Sequence, residues 1–358
     1  MKKKVCMVVQ DKMVKGGIAA VISGYYGSEL EERYDVTYIE SYKDGGKLTK
    51  LVKGIFGYIS FIKNLIVNRP NLVHIHSSFG PSFYRKLPFI YMSHLAGIPV
   101  INHIHGADFD EFYVNASEKK KRLIKNTYGK CKYLIALSAE WKHRLSLLVD
   151  ADKVIIIENY SVLQLEAFEQ RKKKAASTNI LFLGELGKRK GCYDIPYVVK
   201  NVVERVPTAM FYLCGAGTVE DEANIRHLCE ELNIADHVVY PGWVRDKKKD
   251  DMLRNADVFF LPSYNEGMPM SVLDAMGYGL PVVSTNIGGI PKIVRNGENG
   301  YCCKAGDIEK YSVSIIELLT NYELLEQYSQ GSFDIVTAGY SKEKHLEKLM
   351  RVYEEVMK

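Results

Sequence analysis

The residues best suited to chemistry lie in one stretch, 261–276, which reads LPSYNEGMPMSVLDAM. It holds two carboxylates eight residues apart, Glu266 and Asp274. Eight helical residues span about 12 Å, whereas the paired carboxylates of a retaining glycosidase lie only about 5–5.5 Å apart. We therefore expect the two acids to bind different parts of one long ligand. Carboxylates accept hydrogen bonds from vicinal hydroxyls, so a sugar nucleotide, with a sugar at one end and a ribose at the other, has a suitable shape.

Backbone groups of the same stretch add a place for phosphate. The N–H groups at the predicted start of its helix have no helical partner, and together with the helix dipole they favour an anion. An alternative stays open, in which the first acid caps the helix and the second is structural. The predicted ligand-binding residues of this stretch are Glu266, Gly267, Met268, Met270, Ser271, Leu273 and Asp274.

Two glycine-containing loops could approach the phosphates of such a ligand. Gly16-Gly17 follows a first strand and begins a helix, so its backbone can come close to an anion. The second loop, 184–191, carries Arg189 and Lys190 beside a helix start, and fixed cations suit a diphosphate. Neither loop reads Gly-x-Gly-x-x-Gly or ends in Gly-Lys-Ser/Thr, which disfavours a dinucleotide oxidoreductase and an ATPase. A plain turn and a solvated basic turn remain the alternatives.

The elements that must position these loops form two series. Short apolar runs rich in β-formers alternate with longer helical segments, which predicts an α/β fold with parallel sheets. The length of 358 residues suits about two domains. We predict Rossmann-like domains over 1–165 and 175–340, facing across a cleft, because ligands bind beyond the carboxyl ends of such strands. Residues 160–178 lack periodicity and predict a solvated linker. A final helix over 341–358 should return to the first domain.

These motifs make the chain similar to the GT4 family of retaining glycosyltransferases, whose GT-B fold has two Rossmann-like domains. The sequence EGMPMSVLDAMGYGLPVVST from Glu266, with GGIP at 288–291, resembles the E-x7-E motif of that family. Residues 184–191 resemble its phosphate-binding loop, Gly16-Gly17 its N-terminal diglycine, and His105-Gly106 the His-Gly near the donor sugar. The resemblance extends over about residues 5–320.

Four positions depart from the family pattern. Asp274 replaces the second Glu, and Glu185 stands where a basic residue is usual. Lys292 follows GGIP where the family often has an acid, and Glu158 precedes Asn159 where Pro is usual. The first two concern the contacts to the donor and leave the class unchanged.

The resemblance implies transfer of a sugar from a nucleoside diphosphate sugar, with retention, to a saccharide or lipid-linked acceptor in cell-surface polysaccharide, capsule or glycolipid synthesis. It assigns the acceptor to the first domain and the donor to the second. Lys190 and Arg189 would stabilise the leaving diphosphate, Glu266 would hold the sugar and Asp274 the ribose, with His105 beside the sugar. No metal or other cofactor is expected, because the loop supplies cationic charge. The alternatives are a GT-B-fold sugar-nucleotide epimerase and a non-catalytic sugar-nucleotide-binding subunit.

Two His-x-His pairs, His74 with His76 and His103 with His105, fall on predicted strands. Paired histidines could bind zinc. No cysteine or carboxylate at ligand spacing accompanies them, so we predict no metal site. Buried structural histidines are the favoured interpretation, with a substrate contact at His105.

Charge is distributed unevenly along the chain. Residues 1–160 hold 24 basic and 15 acidic residues, and the remainder holds 24 and 28. The net charge of +5 is too small to indicate nucleic-acid binding. On one predicted helix basic and apolar residues interleave, which suits the anionic surface of a bilayer. They are Lys47, Lys50, Leu51, Lys53, Ile55, Phe56, Tyr58, Phe61 and Lys63.

A second basic run, 119–122, supports the same expectation. We predict a cytoplasmic protein that binds peripherally to the inner face of the cytoplasmic membrane. The alternative is an ordinary solvated face over a core helix. The apolar run Val5–Val9 is too short for the core of a signal peptide. Seven scattered cysteines predict reduced thiols.

Overall fold

The computed structural model divides the chain into two compact units, Met1–Asn159 with Lys342–Lys358, and Tyr160–Ser341. Backbone hydrogen bonds explain why the second unit begins before residue 175, the start expected from the sequence. The N–H of Ser161 donates to the carbonyl of Tyr340, and that of Gln164 to the carbonyl of Gly277. The residues that the structure describes are 2–106, 108–173 and 177–358.

The first unit is built on one sheet of six parallel strands. They are β1 (Lys4–Val9), β2 (Asp35–Glu40), β3 (Leu72–Ser77), β4 (Val100–Ile104), β5 (Tyr133–Ala136) and β6 (Val154–Ile156). Their order in the sheet is β2-β1-β3-β4-β5-β6. Every residue of β3 and β4 is buried, as expected for strands covered on both faces. These strands coincide with short apolar runs of the sequence, which is the pattern expected for a parallel sheet.

The described residues of this unit form six α-helices before the chain enters the second unit. They are α1 (Gly17–Ser23), α2 (Glu29–Arg33), α3 (Lys47–Val67), α4 (Pro81–Leu95), α5 (Glu118–Tyr128) and α6 (Ala139–Leu145). The helix that begins at Gly17 ends at Ser23, and a second helix begins at Glu29. The chain turns at Gly24 and Gly27, and Gly27 has a φ of 64°, which ends the helical path.

The two faces of the first sheet differ in chemistry. Val73 and Ile75 belong to an apolar cluster that includes Phe83 and Phe89 of α4. Side chains alternate along a strand, so the histidines at positions 74 and 76 lie on the opposite face. Across the strand pair, His76 is the register partner of His103. One face is therefore an aromatic core and the other carries a group of imidazoles.

The second unit repeats the architecture with another six-stranded parallel sheet. Its strands are β7 (Asn179–Leu183), β8 (Met210–Cys214), β9 (Val238–Val239), β10 (Val258–Leu261), β11 (Val282–Thr285) and β12 (Gly300–Cys303). Their order is β12-β11-β10-β7-β8-β9. The strands β7 and β10 are neighbours, so the loops that follow them leave the sheet side by side.

The helices of the second unit and the last helix complete the chain. They are α7 (Leu165–Arg171), α8 (Ile195–Val203), α9 (Val219–Glu231), α10 (Asp246–Asn255), α11 (Met270–Gly277), α12 (Ile290–Ile293), α13 (Ile308–Thr320), α14 (Tyr322–Ile335) and α15 (Lys342–Val356).

The stretch interpreted as a solvated linker is largely ordered structure. Its middle forms α7, where Ala167 and Phe168 are buried and Phe168 stacks on Phe333 at 4.2 Å. The Arg171 guanidinium donates three hydrogen bonds, to the carbonyls of Leu253, Ala256 and Tyr278. A basic residue of the predicted solvated linker therefore binds carbonyls at the C-terminal ends of α10 and α11. Residues 174–176 of the predicted linker lie outside the described residues.

The last helix, α15, packs on the first unit, as the sequence predicts. Nε2 of His345 lies 2.7 Å from the Tyr25 hydroxyl, and the Tyr353 hydroxyl lies 2.6 Å from Nδ1 of His74. Lys348 forms an ion pair with Glu158 at 2.7 Å. The chain thus leaves the first unit at Asn159 and returns to it at Lys342.

Within the described ranges, no helix combines the length and apolar character needed to cross a bilayer. All seven cysteines are free thiols in the structure.

Candidate functional site

The loop after β7 is shaped by its contact with the end of β10. Residues Lys188–Lys190 form a short 3₁₀ turn, and Gly191 follows with a φ of 71°. A Cβ at Gly191 would clash with the carbonyl oxygen of Pro262, so only glycine fits there. The N–H of Tyr264 donates to the carbonyl of Arg189 at 2.9 Å. The helix α8 begins only at Ile195, so the cations precede it on this turn.

This packing brings Lys190 and Glu266 together, as the sequence analysis expected of one ligand site. Lys190 Nζ lies 2.5 Å from Glu266 Oε1, and the two side chains are only 13% and 7% exposed. The hydroxyl of Ser263 donates to the same carboxylate oxygen at 2.8 Å. The result is a nearly buried cation–carboxylate pair with a fixed geometry. Ser263 was missed from the sequence, although it stands three residues before Glu266 in the same loop.

Arg189 is held differently from Lys190. Its guanidinium pairs with Glu185 at 3.2 Å and donates to the carbonyl of Asn265 at 3.2 Å. Both members of the Arg189–Glu185 pair are exposed, with side-chain fractions of 42% and 62%. Surface pairs of this kind contribute about 0–1 kcal/mol and exchange partners readily. Glu185 therefore offsets part of the charge that Arg189 could offer to a phosphate.

The helix α11 starts at Met270 after Pro269, which leaves the N–H groups of its first turn without helical partners. The side chains of Met268 and Met270 are buried, so only their backbone could reach a ligand. Leu273 does not fit its predicted role. Its side chain is fully buried and its N–H donates to the carbonyl of Pro269, which leaves no group for a ligand.

The GGIP segment after β11 fixes the backbone beside Glu266. The N–H of Gly289 donates to the carbonyl of Gly267 at 2.5 Å. Gly288 has a φ of 53°, and a Cβ there would clash with the carbonyl oxygen of Glu266. The glycines of this segment are therefore required by close packing against the carboxylate loop. Lys292 is exposed and its side chain takes no part in this packing.

The second motif carboxylate has a partner that the sequence analysis missed. Lys249 Nζ, on α10, lies 2.5 Å from Asp274 Oδ2 on α11. The next residue of α10, Asp250, accepts a hydrogen bond from the Tyr278 hydroxyl at 2.6 Å. The side chains of Lys249 and Asp274 are 33% and 19% exposed, so the pair is half-buried. Both acids of the motif are thus matched with a lysine.

In the first unit, Gly16 and Gly17 occupy the start of α1 as predicted. Gly16 has a φ of 133°, a conformation that other residues rarely adopt, and a Cβ there would meet open space. Backbone conformation, and not crowding, therefore requires glycine at this position. The carbonyl of Gly16 accepts the N–H of Ala20.

His105 follows β4 and is fixed by a second histidine. Its Nε2 lies 2.9 Å from Nδ1 of His76, and the two rings stack at 5.2 Å. Burial, together with the nearby His345, lowers the pKa of His105 to about 3. The ring is therefore neutral at pH 7 and cannot act as a strong acid. A neutral imidazole has one N–H donor and one acceptor nitrogen.

The structure does gather the histidines that could have formed a zinc site. One nitrogen each from His74, His76 and His103 lie within 4.8 Å of one another, and all three residues are buried. Burial lowers the pKa of each, so the imidazoles are neutral. The rings of His74 and His103 are nearly parallel, at 8°. Among the described residues, this group consists of imidazoles alone.

The chain is similar in sequence to known glycosyltransferases. Residues 164–333 match the family model described as glycosyl transferases group 1. A relative from Escherichia coli, UDP-Gal:alpha-D-GlcNAc-diphosphoundecaprenol alpha-1,3-galactosyltransferase, is 26% identical over 85% of this chain and 80% of its own. N-acetyl-alpha-D-glucosaminyl L-malate synthase from Bacillus anthracis is 22% identical over 82% of this chain and 77% of its own. Neither of these relatives is an epimerase, and that alternative has no support.

Solved structures show the same fold. Sucrose-phosphate synthase from Thermosynechococcus elongatus superposes with a TM-score of 0.79 at 16% identity, over 99% of both chains. HepE from Anabaena, solved with UDP, superposes with a TM-score of 0.74 at 15% identity, over 98% of this chain and all of that chain. The architecture of both units is therefore that of GT-B proteins.

Proposed function

We propose that this chain, a group 1 glycosyltransferase with the GT-B fold, transfers a sugar from a nucleoside diphosphate sugar to a saccharide or lipid-linked acceptor for cell-surface polysaccharide. A uridine nucleotide is the first donor to test. The Escherichia coli relative is named for UDP-Gal and a diphosphoundecaprenol acceptor, and HepE has been solved with UDP-glucose.

One observation carries the proposal: the nearly buried pair of Lys190 and Glu266 at the ends of β7 and β10. Glu266 can accept hydrogen bonds from sugar hydroxyls through Oε2, while Lys190 presents an ammonium to the diphosphate. Fixed cations stabilise the negative charge that develops on the leaving diphosphate. Arg189 adds a second, weaker cation, since Glu185 already pairs with it.

We infer that transfer retains the configuration of the anomeric carbon and uses no metal. Retention follows from the resemblance to the GT4 family, in which the acceptor attacks from the side of the leaving group. Lys190 and Arg189 supply the charge that a metal would otherwise bring. His105 contributes a neutral imidazole, oriented by His76, that can donate one hydrogen bond to a substrate hydroxyl.

The proposal is tested by donor binding followed by transfer. UDP-, GDP- and ADP-sugars are screened by thermal shift, and the best donor is incubated with polyprenyl-diphosphate sugars and free saccharides. We expect one nucleotide to raise the melting temperature and a product of retained configuration by NMR. Excess EDTA should leave the rate unchanged. Transfer abolished by EDTA and restored by a divalent cation contradicts the metal-independent mechanism, and release of free sugar alone contradicts transfer.

We also propose that the first unit docks on an anionic bilayer through α3. Large apolar residues form an exposed stripe along this helix, and three of them, Leu48, Phe56 and Ile66, are 73%, 63% and 67% exposed. The lysines at positions 47, 50 and 63 are also exposed. Apolar and cationic groups together favour an interfacial position on anionic lipid. The stripe consists of Leu48, Leu51, Val52, Ile55, Phe56, Ile59, Ile62, Ile66 and Val67.

Three residues expected on this surface belong elsewhere. Phe61 is fully buried and packs edge-on against Phe89, and Tyr58 is half-buried against the same ring. Lys53 forms ion pairs with Glu40 at 2.5 Å and Asp11 at 3.5 Å. The helix therefore uses one side for the core and the opposite side for the proposed bilayer contact.

Docking is measured by sedimentation with phosphatidylglycerol–phosphatidylcholine vesicles. We expect binding at about 50 mM salt that weakens strongly at about 500 mM, because the Debye length shortens with ionic strength. Phe56→Glu with Ile59→Glu should reduce binding at least about 10-fold, because two apolar contacts are replaced by charges that anionic lipid repels. Leu95→Glu, an exposed leucine of α4, is the matched control. Absence of binding at low salt, or an equal loss in the control, overturns the proposal.

A further inference from the structure

We propose that Lys249 is a specificity-determining residue of the donor site, where it and Asp274 together bind the ribose diol of the nucleotide. This inference rests on the proposed function, because it takes a nucleoside diphosphate sugar as the ligand. Lys249 lies in the run Lys247–Lys249, which the sequence alone does not distinguish from a solvated face.

The ion pair is held between two helices and does not depend on a loose surface side chain. The ammonium of Lys249 on α10 lies 2.5 Å from Oδ2 of Asp274 on α11. A second link joins the same helices one residue along α10, where Asp250 accepts the Tyr278 hydroxyl at 2.6 Å. Asp250 is itself fixed by Arg254 at 2.7 Å. Lys249 is therefore placed beside Asp274 by the packing of α10 against α11.

The neighbouring lysines show that this placement is selective. Lys247 and Lys248 are exposed, and Lys248 donates to the carbonyl of Pro241 at 2.7 Å. Lys249 alone of the three is half-buried and reaches the motif carboxylate. A helix turns by about 100° per residue, so adjacent lysines cannot share this position.

The pair leaves hydrogen-bonding capacity on both partners. Among the described residues, Oδ1 of Asp274 accepts no hydrogen bond, and Lys249 Nζ donates only to Oδ2. An ammonium has three donors, so two remain, next to a free carboxylate acceptor. A vicinal diol needs both kinds of group, because each hydroxyl can donate and accept. The pair is therefore complementary to the ribose 2′- and 3′-hydroxyls.

The lysine also accounts for the shorter acid at position 274. Aspartate reaches about 1.5 Å less far than glutamate, one carbon–carbon bond. An ammonium bound to its carboxylate extends the polar group outward again and adds donors that glutamate lacks. Where the family pattern has a glutamate alone, this chain therefore has the shorter aspartate together with a lysine.

The test compares ribonucleotide with deoxyribonucleotide binding in the intact chain. Isothermal titration measures UDP, GDP, ADP and their 2′-deoxy counterparts against the wild type, Lys249→Met and Lys249→Arg. We expect the wild type to prefer the ribonucleotide about 10-fold, Lys249→Met to lose most of that preference, and Lys249→Arg to keep it. Lys248→Met is the matched control and should behave as the wild type.

The possible failures are distinguishable. If Lys249→Met keeps both the affinity and the ribose preference of the wild type, the inference is wrong while the proposed function stands. Equal weakening of the ribo and deoxy forms also overturns it, because that pattern indicates a purely structural ion pair. If the wild type binds none of the three diphosphates, the proposed function fails and the inference fails with it. Circular dichroism and the melting temperature confirm that each variant is folded.

Discussion

Replacing Lys190 by alanine should lower kcat/KM by about 10²–10³-fold, the loss typical of removing one preorganised donor from a developing anion. The ammonium lies 2.5 Å from Glu266 and is 13% exposed, so its position is fixed before any ligand binds. Because the site of the Lys190 ammonium is largely enclosed, water cannot readily take its place in the variant. Steady-state kinetics with the identified donor measures the effect. Lys188→Ala, on the same turn but with an exposed side chain, is the matched control and should change the rate little.

The substitution also affects stability, and the two effects can be separated. Removing one partner of a buried pair costs about 3–5 kcal/mol, because a buried charge is left alone. Among the described residues, the hydroxyl of Ser263 would then be the remaining hydrogen-bond partner of the Glu266 carboxylate. The double variant Lys190→Ala with Glu266→Gln removes both charges and should regain most of the stability without regaining activity. If Lys190→Ala is folded and keeps its rate to within a few-fold, the role of Lys190 at the diphosphate is wrong.

The sequence predicts the parts of the fold that rest on local pattern. The strands Asn179–Leu183 and Val258–Leu261 coincide with apolar runs rich in β-branched and aromatic residues, which favour strands. Lys190 and Glu266 lie in the loops that follow these two strands, and the two side chains form an ion pair. The positions of the strands therefore fix the approximate location of both residues.

What could not be predicted depends on contacts distant in the sequence. Lys249 meets a carboxylate 25 residues away, and only the packing of α10 on α11 selects it from three consecutive lysines. Phe61 and Phe56 are both aromatic residues of α3, yet Phe61 is buried and Phe56 is exposed. The side of the helix that faces the core decides this difference. The sequence places Arg171 in a solvated linker, whereas its guanidinium donates to three carbonyls that are distant in the sequence.

Acidification from pH 7.5 to pH 5 should destabilise the first unit by about 6 kcal/mol, because its buried histidines must stay neutral while the unfolded chain takes up protons. Burial lowers the pKa of His74 and of His105 to about 3, and that of His345 to about 4. The ordinary value in an unfolded chain is about 6.5. The stability is fully present above pH 6.5 and falls as the pH drops below it.

The magnitude follows from proton linkage. Each histidine removes about 1.4 kcal/mol per pH unit below 6.5, which amounts to about 2 kcal/mol by pH 5 and about 6 kcal/mol for the three. Burial also lowers the pKa of His76 and His103 well below the usual value, so the full loss is larger. The neighbouring cations Lys86 and Lys348 act in the same direction. Carboxylates titrate at lower pH and contribute little in this window.

Denaturant unfolding at a series of pH values measures this loss in the intact chain. Trp141 is buried in the first unit, and Trp243→Phe removes the other tryptophan, so fluorescence then reports the first unit alone. We expect the midpoint of the Trp141 transition to fall steeply below pH 6.5. His94→Gln, at an exposed position of the same unit, should leave the slope unchanged. A midpoint that stays constant from pH 7.5 to pH 5.5 would mean that the imidazoles on this sheet face are protonated or solvated in the folded unit, contrary to their burial.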